Sequence, residues 1–366
     1  MTGWTYHNPV RLRFGEGVID EIGKEIAGRP YLLVTHPDGP ILPWRARVAE
    51  QAGDPRGVVD TVTPNPSLTL LRGICQRLAP LDGAIEVIVA LGGGSVIDSA
   101  KFLAAGHMRF DPVRNYLETG SSMEIPSLPL IAIPTTAGTG SDLTPWATIW
   151  DPEADRKLSL ARSDLFAQAA LVDPVITASL PWGLTLASGL DALSHALESI
   201  WNVNANPVTR TFAIEAAHAI LTALPRLQND ITDAQARTLL AHGATQAGLA
   251  FSNTKTALAH NISYPITLGH GVPHGIACSF CLPEVMMAAA GIDSSCDAAL
   301  AAIFGTLDDA PVKLRHVLSE LGVPRSPAEL GIGAADWRLI LENAFAGPRG
   351  RNFIAPIGRY PSSEVG

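Results

Sequence analysis

The sequence predicts an α/β domain followed by an all-α domain, and three observations indicate this arrangement. Short continuous apolar runs alternate with helix-like segments in the first half. Ala- and Leu-rich segments with helical spacing fill the second half, where no strong strand pattern occurs. A stretch interrupted by prolines separates the two patterns near residues 175–183. We therefore predict two domains, residues 1–180 and residues 181–366.

Three apolar runs of the first half are predicted to form parallel strands. They are YLLVT (31–35), EVIVALGGG (86–94) and LPLIAIPTT (128–136). Because polar residues do not alternate within them, each run is expected to be buried on both faces of its sheet. The intervening segment 67–81 has helical spacing, so the predicted order is βαβ with right-handed crossovers.

The second half is predicted to be helical throughout its periodic segments. Apolar residues recur at helical spacing in residues 209–227 and 234–252. We find no internal repeat and no low-complexity segment in the chain. The second domain is therefore expected to be a packed set of helices.

Composition and charge exclude several classes of protein. Of the 366 residues, 47% are hydrophobic and 17% are charged, which is typical of a globular protein. The net charge of −9 and the lack of a basic stripe argue against a nucleic-acid partner. The N-terminus lacks the apolar core of a signal peptide, and no apolar run approaches the length of a membrane span. We expect a cytoplasmic protein.

The cysteines predict a reducing compartment. Two of them have CxxC spacing within an apolar stretch, but a zinc ribbon needs a second pair, which the sequence lacks. We interpret all four as buried free thiols: Cys75, Cys278, Cys281 and Cys296.

A candidate metal site lies in the second half. The segment GLDALSHALESIW (189–201) is predicted to be a helix with Asp191 and His195 on one face. This pair can chelate a divalent ion, although the same spacing is common in surface pairs. The later segment 248–275 contains three histidines: His260, His270 and His274. A buried histidine needs a metal ion or a backbone carbonyl as partner, and spacing alone leaves both open.

A glycine turn in the first half is a candidate phosphate-binding loop. EVIVALGGGSVIDSAK (86–101) predicts a strand, a turn and a helix. Gly92, Gly93 and Gly94 let the backbone approach a pyrophosphate, whose charge the following helix N-terminus favours. Ser95 can cap that helix. The run matches neither GxGxxG nor a P-loop, so a purely structural turn remains an alternative.

These motifs resemble the iron-dependent, or group III, alcohol dehydrogenases over nearly the whole chain. That family has an Asp-x-x-x-His helix and two later histidines fourteen residues apart, which together bind Fe(II) or Zn(II). The resemblance implies the metal ligands Asp191, His195, His260 and His274. It also implies a Rossmann-like parallel-sheet domain followed by a helical metal-binding domain, as in dehydroquinate synthase. The implied activity is NAD(P)-dependent alcohol oxidation or aldehyde reduction.

The family's cofactor signatures occur here as GGGSxxDxxK (92–101) and PTTAGTGS (134–141). The resemblance implies that their residues bind the dinucleotide: Gly92, Gly93, Gly94, Ser95, Asp98, Lys101, Thr135, Thr136, Thr139 and Ser141. Lys157 matches a lysine near the nicotinamide and is a candidate catalytic residue, with a solvated surface lysine as the alternative. His36 stands where the family often has an acid, and Asp38 follows two residues later. Both residues are cofactor candidates, and NAD and NADP stay open.

Tyr264 marks a second departure from the family. Many members have a further histidine at this position, four residues after the first late ligand. If that histidine relays protons in relatives, Tyr264 or His270 substitutes for it here as a catalytic residue. A packing role for Tyr264 is the alternative.

Two segments point to a substrate class. NISYPIT, after His260, and GPRGRNFI (347–354) resemble the phosphonoacetaldehyde reductase branch. Arg349 and Arg351 carry planar guanidinium groups suited to a phosphonate, sulfonate or carboxylate, and Asn352 adds a donor. An exposed basic loop is the alternative. We predict a homodimeric reductase of a short anionic aldehyde, with phosphonoacetaldehyde as the first candidate.

Other functions are compatible with the same motifs. Within the family they are a general short-chain alcohol dehydrogenase, a sulfoacetaldehyde reductase and a maleylacetate reductase-like enzyme. Outside it, a non-redox synthase of the same fold or a non-catalytic binding protein is possible at the level of fold. The full set of four ligands argues against the binding protein.

Overall fold

The computed structural model describes residues 3–37, 39–154 and 156–361. These residues separate into two compact units at the boundary between Ser179 and Leu180. We call Asn8–Thr136 together with Ser141–Ser179 the sheet unit. The helical unit contains the chain from Leu180 onward, the N-terminal segment that ends at His7 and the loop Ala137–Gly140.

The two short segments of the helical unit are a departure from the predicted linear division at residue 180. The Tyr6 hydroxyl donates to the carbonyl of Leu249, and the His7 amide donates to the Asn253 side chain. In the loop Ala137–Gly140, a Cβ at Gly140 would lie 2.6 Å from the Phe251 ring. Such contacts join residues far apart in sequence, which local patterns do not reveal.

The described residues of the sheet unit form eight strands. They are β1 (Arg11–Phe14), β2 (Tyr31–Val34), β3 (Gly57–Val59), β4 (Val87–Gly92), β5 (Leu130–Pro134), β6 (Trp146–Asp151), β7 (Arg156–Ala161) and β8 (Ala169–Val172). Six of them form a parallel sheet in the order β1-β8-β5-β4-β2-β3. The other two, β6 and β7, pair as an antiparallel hairpin. The parallel sheet confirms the predicted α/β class.

Burial on both faces explains the continuous apolar runs. In β2, Leu32 and Val34 pack into one hydrophobic core, whereas Tyr31 and Leu33 pack into the other. Successive side chains of a strand point to opposite faces, so a doubly covered strand has no polar positions. The covering helices are α1 (Ile22–Ile26), α2 (Leu42–Ala52), α3 (Leu68–Leu78), α4 (Gly94–Gly106) and α5 (Phe110–Thr119).

The helical unit confirms the predicted change of pattern. Its helices are α6 (Trp182–Ile200), α7 (Pro207–Asn229), α8 (Ala234–Thr254), α9 (Leu258–His270), α10 (His274–Ser279), α11 (Leu282–Ala289), α12 (Ser294–Phe304), α13 (Ala310–Glu320) and α14 (Ala334–Ala346). Small residues allow close packing: a Cβ at Gly189 would lie 2.8 Å from Leu224. Among the described residues, the helices are all too short or too polar to cross a membrane.

Candidate metal centre

Helix α6 places three ionisable side chains along one stripe. Asp191, His195 and Glu198 are separated by four and three residues, the spacing that aligns side chains on a helix. All three are buried, and Glu198 has no exposed surface. The sequence predicts the first two as metal ligands, but not Glu198. Glu198 continues the same i, i+4, i+7 stripe, which was the available signal.

Two further histidines approach this stripe from α9 and α10. His260 is buried within α9, and His274 is the first residue of α10, with 37% of its side chain exposed. Gly275 lets α10 begin directly against α6, because a Cβ there would lie 1.8 Å from the carbonyl oxygen of Ala187. The close approach brings His274 to the carboxylate of Asp191.

The four residues predicted as metal ligands meet at one carboxylate oxygen. Asp191 Oδ1 lies 3.3 Å from His260 Nε2, 3.7 Å from His274 Nε2 and 3.9 Å from His195 Nε2. Asp191 Oδ1 and His260 Nε2 are buried and make no hydrogen bond within the described chain. Unsatisfied buried polar atoms are costly unless a ligand occupies the space between them. One carboxylate and three imidazoles at these separations fit a divalent cation.

The pKa shifts of His195 and Asp191 also fit a cation. Burial lowers the pKa of His195 to about 4, which keeps the imidazole neutral at neutral pH. Burial alone would raise the pKa of Asp191, but the surrounding imidazoles outweigh it and hold that pKa well below its ordinary range. A neutral imidazole and an ionised carboxylate are the forms that bind metal ions.

Glu198 orients His260 within the cluster. Its carboxylate accepts hydrogen bonds from the backbone amides of Ala257 and His260, at 2.7 and 3.2 Å. It also lies 2.7 Å from His260 Nδ1, which donates its proton to the carboxylate. Burial opposes ionisation, but the electrostatic interaction with His260 and these bonds outweigh it and lower the pKa of Glu198. The Nε2 lone pair is thereby turned toward Asp191.

Stacked rings surround the histidines. The His195 ring lies parallel to Phe251, at 4.0 Å between centroids, and also stacks on His260 at 4.5 Å. On the other side of the cluster, the Tyr264 ring is parallel to His274 at 5.7 Å. These contacts limit rotation of the imidazoles. They also place Tyr264, predicted as catalytic, next to a predicted ligand.

The structure separates the residues predicted to bind an anionic substrate. The Arg349 guanidinium lies 4.8 Å from the centre of the Tyr264 ring. Arg351 is exposed and lines an open surface cavity that does not include Tyr264. Asn352 donates its side-chain amide to the carbonyl of Thr256, at 2.8 Å. This bond ties the segment of Asn352 to that of Thr256, and the predicted substrate contact of Asn352 stays a prediction.

His270 is the last residue of α9 and has an exposed side chain. It is not among the groups gathered around the Asp191 carboxylate, which are His195, His260, His274 and Cys278. The predicted relay role of His270 stays a prediction.

In the sheet unit, the glycine turn joins β4 to α4. Gly92 ends the strand, and α4 begins at Gly94. A Cβ at Gly92 would lie 2.5 Å from Val96, and one at Gly93 would lie 3.2 Å from Thr136. Packing requires glycine at position 92, and a side chain at position 93 would press on Thr136. The lack of a side chain also leaves the backbone accessible to a phosphate.

Three of the predicted cofactor residues use their polar groups inside the protein. The Lys101 ammonium is buried and donates to the carbonyls of Ser141, Thr144 and Trp146, at 2.6–2.8 Å. Asp98 accepts from the Ser141 hydroxyl at 2.8 Å. These internal bonds hold the loop after β5 in place. The predicted cofactor contacts of Asp98, Lys101 and Ser141 stay predictions.

The other predicted cofactor and catalytic residues are dispersed over both units. Ser95 is near the start of α4, and its hydroxyl accepts from the Asn65 amide. Lys157 lies on β7 opposite Trp150, with its ammonium 5.9 Å from the indole. Thr135 and Thr136 directly follow β5. His36 follows β2 and is half-buried. Thr139 lies in the loop that belongs to the helical unit. Asp38 lies outside the described residues.

The structure thus combines a parallel α/β unit with a helical unit that contains an Asp–His cluster suited to a divalent cation. Comparisons with known proteins identify its family. Residues 9–174 match the model of iron-containing alcohol dehydrogenases, and residues 185–356 match the C-terminal model of the same family. The chain belongs to the iron-containing alcohol dehydrogenase family, whose members are oxidoreductases of alcohols and aldehydes.

Three relatives illustrate the range of similarity. Alcohol dehydrogenase 4 of Saccharomyces cerevisiae (strain YJM789) is 30% identical over 360 residues, covering 94% of this chain and 92% of the yeast protein. Phosphonoacetaldehyde reductase of Streptomyces viridochromogenes is 33% identical over 285 residues, covering 75% and 67%. The crystal structure of sulfoacetaldehyde reductase from Bifidobacterium kashiwanohense in complex with NAD+ superimposes with a TM-score of 0.91. It is 27% identical, and the match covers 98% of this chain and 96% of that one.

Proposed function

We propose that this protein reduces a short anionic aldehyde to its alcohol with a nicotinamide cofactor and a divalent metal ion. The observation that carries the proposal is the Arg349–Tyr264–His274 column. Arg349 contacts the Tyr264 ring, which stacks on His274, a predicted metal ligand. Arg349, the proposed anion-binding group, is therefore separated from the proposed metal ion by two side chains, those of Tyr264 and His274.

The column suits an anionic substrate for a physical reason. A guanidinium that rests on a ring by its face presents its N–H donors around its edge. Those donors match the paired oxygens of a phosphonate, sulfonate or carboxylate. Relatives named for phosphonoacetaldehyde and sulfoacetaldehyde support this substrate class, and phosphonoacetaldehyde remains our first candidate.

The proposed reaction adds a hydride to the carbonyl carbon and a proton to the carbonyl oxygen. The residues that would hold the ion are Asp191, His195, His260 and His274. A bound divalent ion supplies Lewis-acid polarisation of a carbonyl group. Arg349 would hold the anionic end of the aldehyde, while Tyr264 positions Arg349 and shields one side of His274. Proton delivery by Tyr264, His270 or Lys157 remains a prediction.

For the dinucleotide, the proposed site is the glycine turn of the sheet unit. The backbone of Gly93 and the N-terminus of the 13-residue helix α4 favour a pyrophosphate. Lys101 and Asp98 would hold the neighbouring loop in place through their internal bonds. The histidine at position 36 leaves the choice between NAD and NADP open. The ratio of kcat/KM for NADH and NADPH would decide between them.

Steady-state kinetics test the substrate class. We expect kcat/KM for phosphonoacetaldehyde to exceed that for propanal, since propanal lacks the anionic group. Losing one charge-assisted contact costs about 1.5–3 kcal/mol, so Arg349→Ala should raise KM for the anionic aldehyde roughly 10–100-fold. Propanal kinetics should change little, and Arg338→Ala, which removes an exposed arginine of α14, serves as the matched control.

Equal kcat/KM for both aldehydes in the parent protein would refute the anionic class. It would favour a general short-chain alcohol dehydrogenase instead. Sulfoacetaldehyde and maleylacetate should be assayed beside phosphonoacetaldehyde. Each of the three compounds carries an anionic group that would contact Arg349. Full turnover in a preparation verified to be metal-free would refute the metal-dependent mechanism. The predicted homodimer and cytoplasmic location stay predictions, for light scattering and cell fractionation to check.

A further inference from the structure

We infer that Cys278 supplies a sulfur donor to the proposed metal centre, which adapts the site to a softer divalent ion than Fe(II). The inference rests on the metal site of the proposed function and deepens it. Cys278 is fully buried and follows His274 by four residues. The thiol therefore lies on the same face of α10 as that histidine.

The position of the sulfur atom carries the inference. Cys278 Sγ lies within 4.8 Å of the candidate ligand atoms of Asp191, His260 and His274, and those atoms are equally close to one another. Such a group has the size of a single coordination shell, in which neighbouring donors are separated by about 3–4 Å when each lies about 2.0–2.3 Å from the ion. Sulfur, two nitrogens and oxygen form a four-donor set. His195 Nε2, 3.9 Å from Asp191 Oδ1, is a fifth donor beside this set.

A simple hydrogen bond between the thiol and His274 explains the geometry less well. Sγ lies 3.8 Å from Nδ1 and 3.7 Å from Nε2 of that ring. A thiol that served one ring nitrogen would approach it along its lone pair and lie clearly farther from the other. In addition, the Ser263 hydroxyl already lies 3.3 Å from Nδ1. Sγ also interacts with His260, so the thiol contacts two candidate ligands and not the His274 ring alone.

The neighbouring cysteine is a natural comparison. Cys281 is also buried, but its Sγ lies 3.7 Å from the carbonyl oxygen of Cys278 and is not part of the four-donor group. The two thiols therefore have the same chemistry and similar burial. Among the described residues, Cys278 belongs to the group of candidate ligands and Cys281 does not.

The chemistry of sulfur determines the consequence. Thiolates prefer Zn(II) and its spectroscopic substitute Co(II), while oxygen and nitrogen donors alone discriminate less. When sulfur coordinates, its proton leaves to solvent, and no electrons are transferred. The expected result is a centre that binds Zn(II) more tightly, relative to Fe(II), than the same site without its sulfur.

Cobalt substitution tests the donor directly. The full-length protein is stripped of metal, reloaded with Co(II) and measured by absorption spectroscopy. We expect a sulfur-to-cobalt charge-transfer band in the near ultraviolet, present in the parent and in Cys281→Ala but absent from Cys278→Ala and Cys278→Ser. In competition with a chromophoric chelator, Cys278→Ala should lose roughly 10–100-fold in Zn(II) affinity, with a smaller loss for Fe(II).

The outcomes separate the two proposals. A parent protein that binds one equivalent of Co(II) without the band would overturn the sulfur donor and leave the metal-dependent function intact. A band that survives in Cys278→Ser would also overturn it. Failure of the parent to bind Co(II), Zn(II) or Fe(II) would overturn both proposals. If Cys278→Ala does not fold, the parent spectrum and the Cys278→Ser spectrum still decide.

Discussion

Replacing Glu198 by glutamine tests whether this buried carboxylate holds the metal centre together. The change keeps the size of the side chain and removes its charge. In the structure, the carboxylate accepts three hydrogen bonds, from the amides of Ala257 and His260 and from His260 Nδ1. Bonds to a charged acceptor contribute about 1.5–3 kcal/mol each and neutral ones about 0.5–1.5. Loss of charge should therefore lower the free energy of unfolding by about 3 kcal/mol.

The same change should weaken metal binding. The glutamine amide no longer requires a proton on His260 Nδ1, so the ring is less strongly held with Nε2 toward Asp191. Substitutions of groups that orient a metal-ligating histidine typically cost 10–100-fold in metal affinity. We expect a loss of this size for Zn(II) in Glu198→Gln.

Two assays check these magnitudes. Urea unfolding of the metal-free protein measures the change in the free energy of unfolding, and competition with a chelator measures the affinity for Zn(II). Glu320→Gln, at the exposed end of α13, is the matched control and should change neither quantity. If Glu198→Gln binds Zn(II) with the parent affinity and has the parent urea midpoint, the assigned role of Glu198 is wrong.

Two further predictions concern buried charges of the sheet unit. Lys101→Met should lower the free energy of unfolding by about 3 kcal/mol or more, because three buried carbonyls lose their donor; a parent-like urea midpoint would contradict this. Glu25 is 5% exposed; burial opposes its ionisation, but bonds from Arg11 and Arg13 outweigh this and lower its pKa. Its stabilising effect should therefore be present above the ordinary glutamate pKa of about 4.3 and vanish as pH falls through the lowered value. Thermal unfolding should show Glu25→Gln destabilised by about 1 kcal/mol at neutral pH and equal to the parent in strong acid; a pH-independent difference would contradict the sign.

Much of the fold was accessible from local patterns. The continuous apolar runs predicted the strands that became β2, β4 and β5 of the parallel sheet. Helical spacing predicted α7 and α8. The hairpin of β6 and β7 was missed, because its residues carry no strong run of either type. The segments that join the helical unit from the N-terminus and from Ala137–Gly140 were also missed.

By itself, the sequence determined the features that depend on near neighbours along the chain. Helical periodicity placed Asp191 and His195 on one face, and the glycine turn followed from three adjacent residues. Motif resemblance then indicated the family. Tertiary structure alone decided what each polar atom contacts: Glu198 on His260, Cys278 beside the candidate ligands, Arg349 over Tyr264. It also placed the ammonium of Lys101 within hydrogen-bond distance of three backbone carbonyls. These contacts join elements far apart in sequence. A buried charge is unfavourable unless it is paired, and its partners are the groups that tertiary packing brings within hydrogen-bond distance.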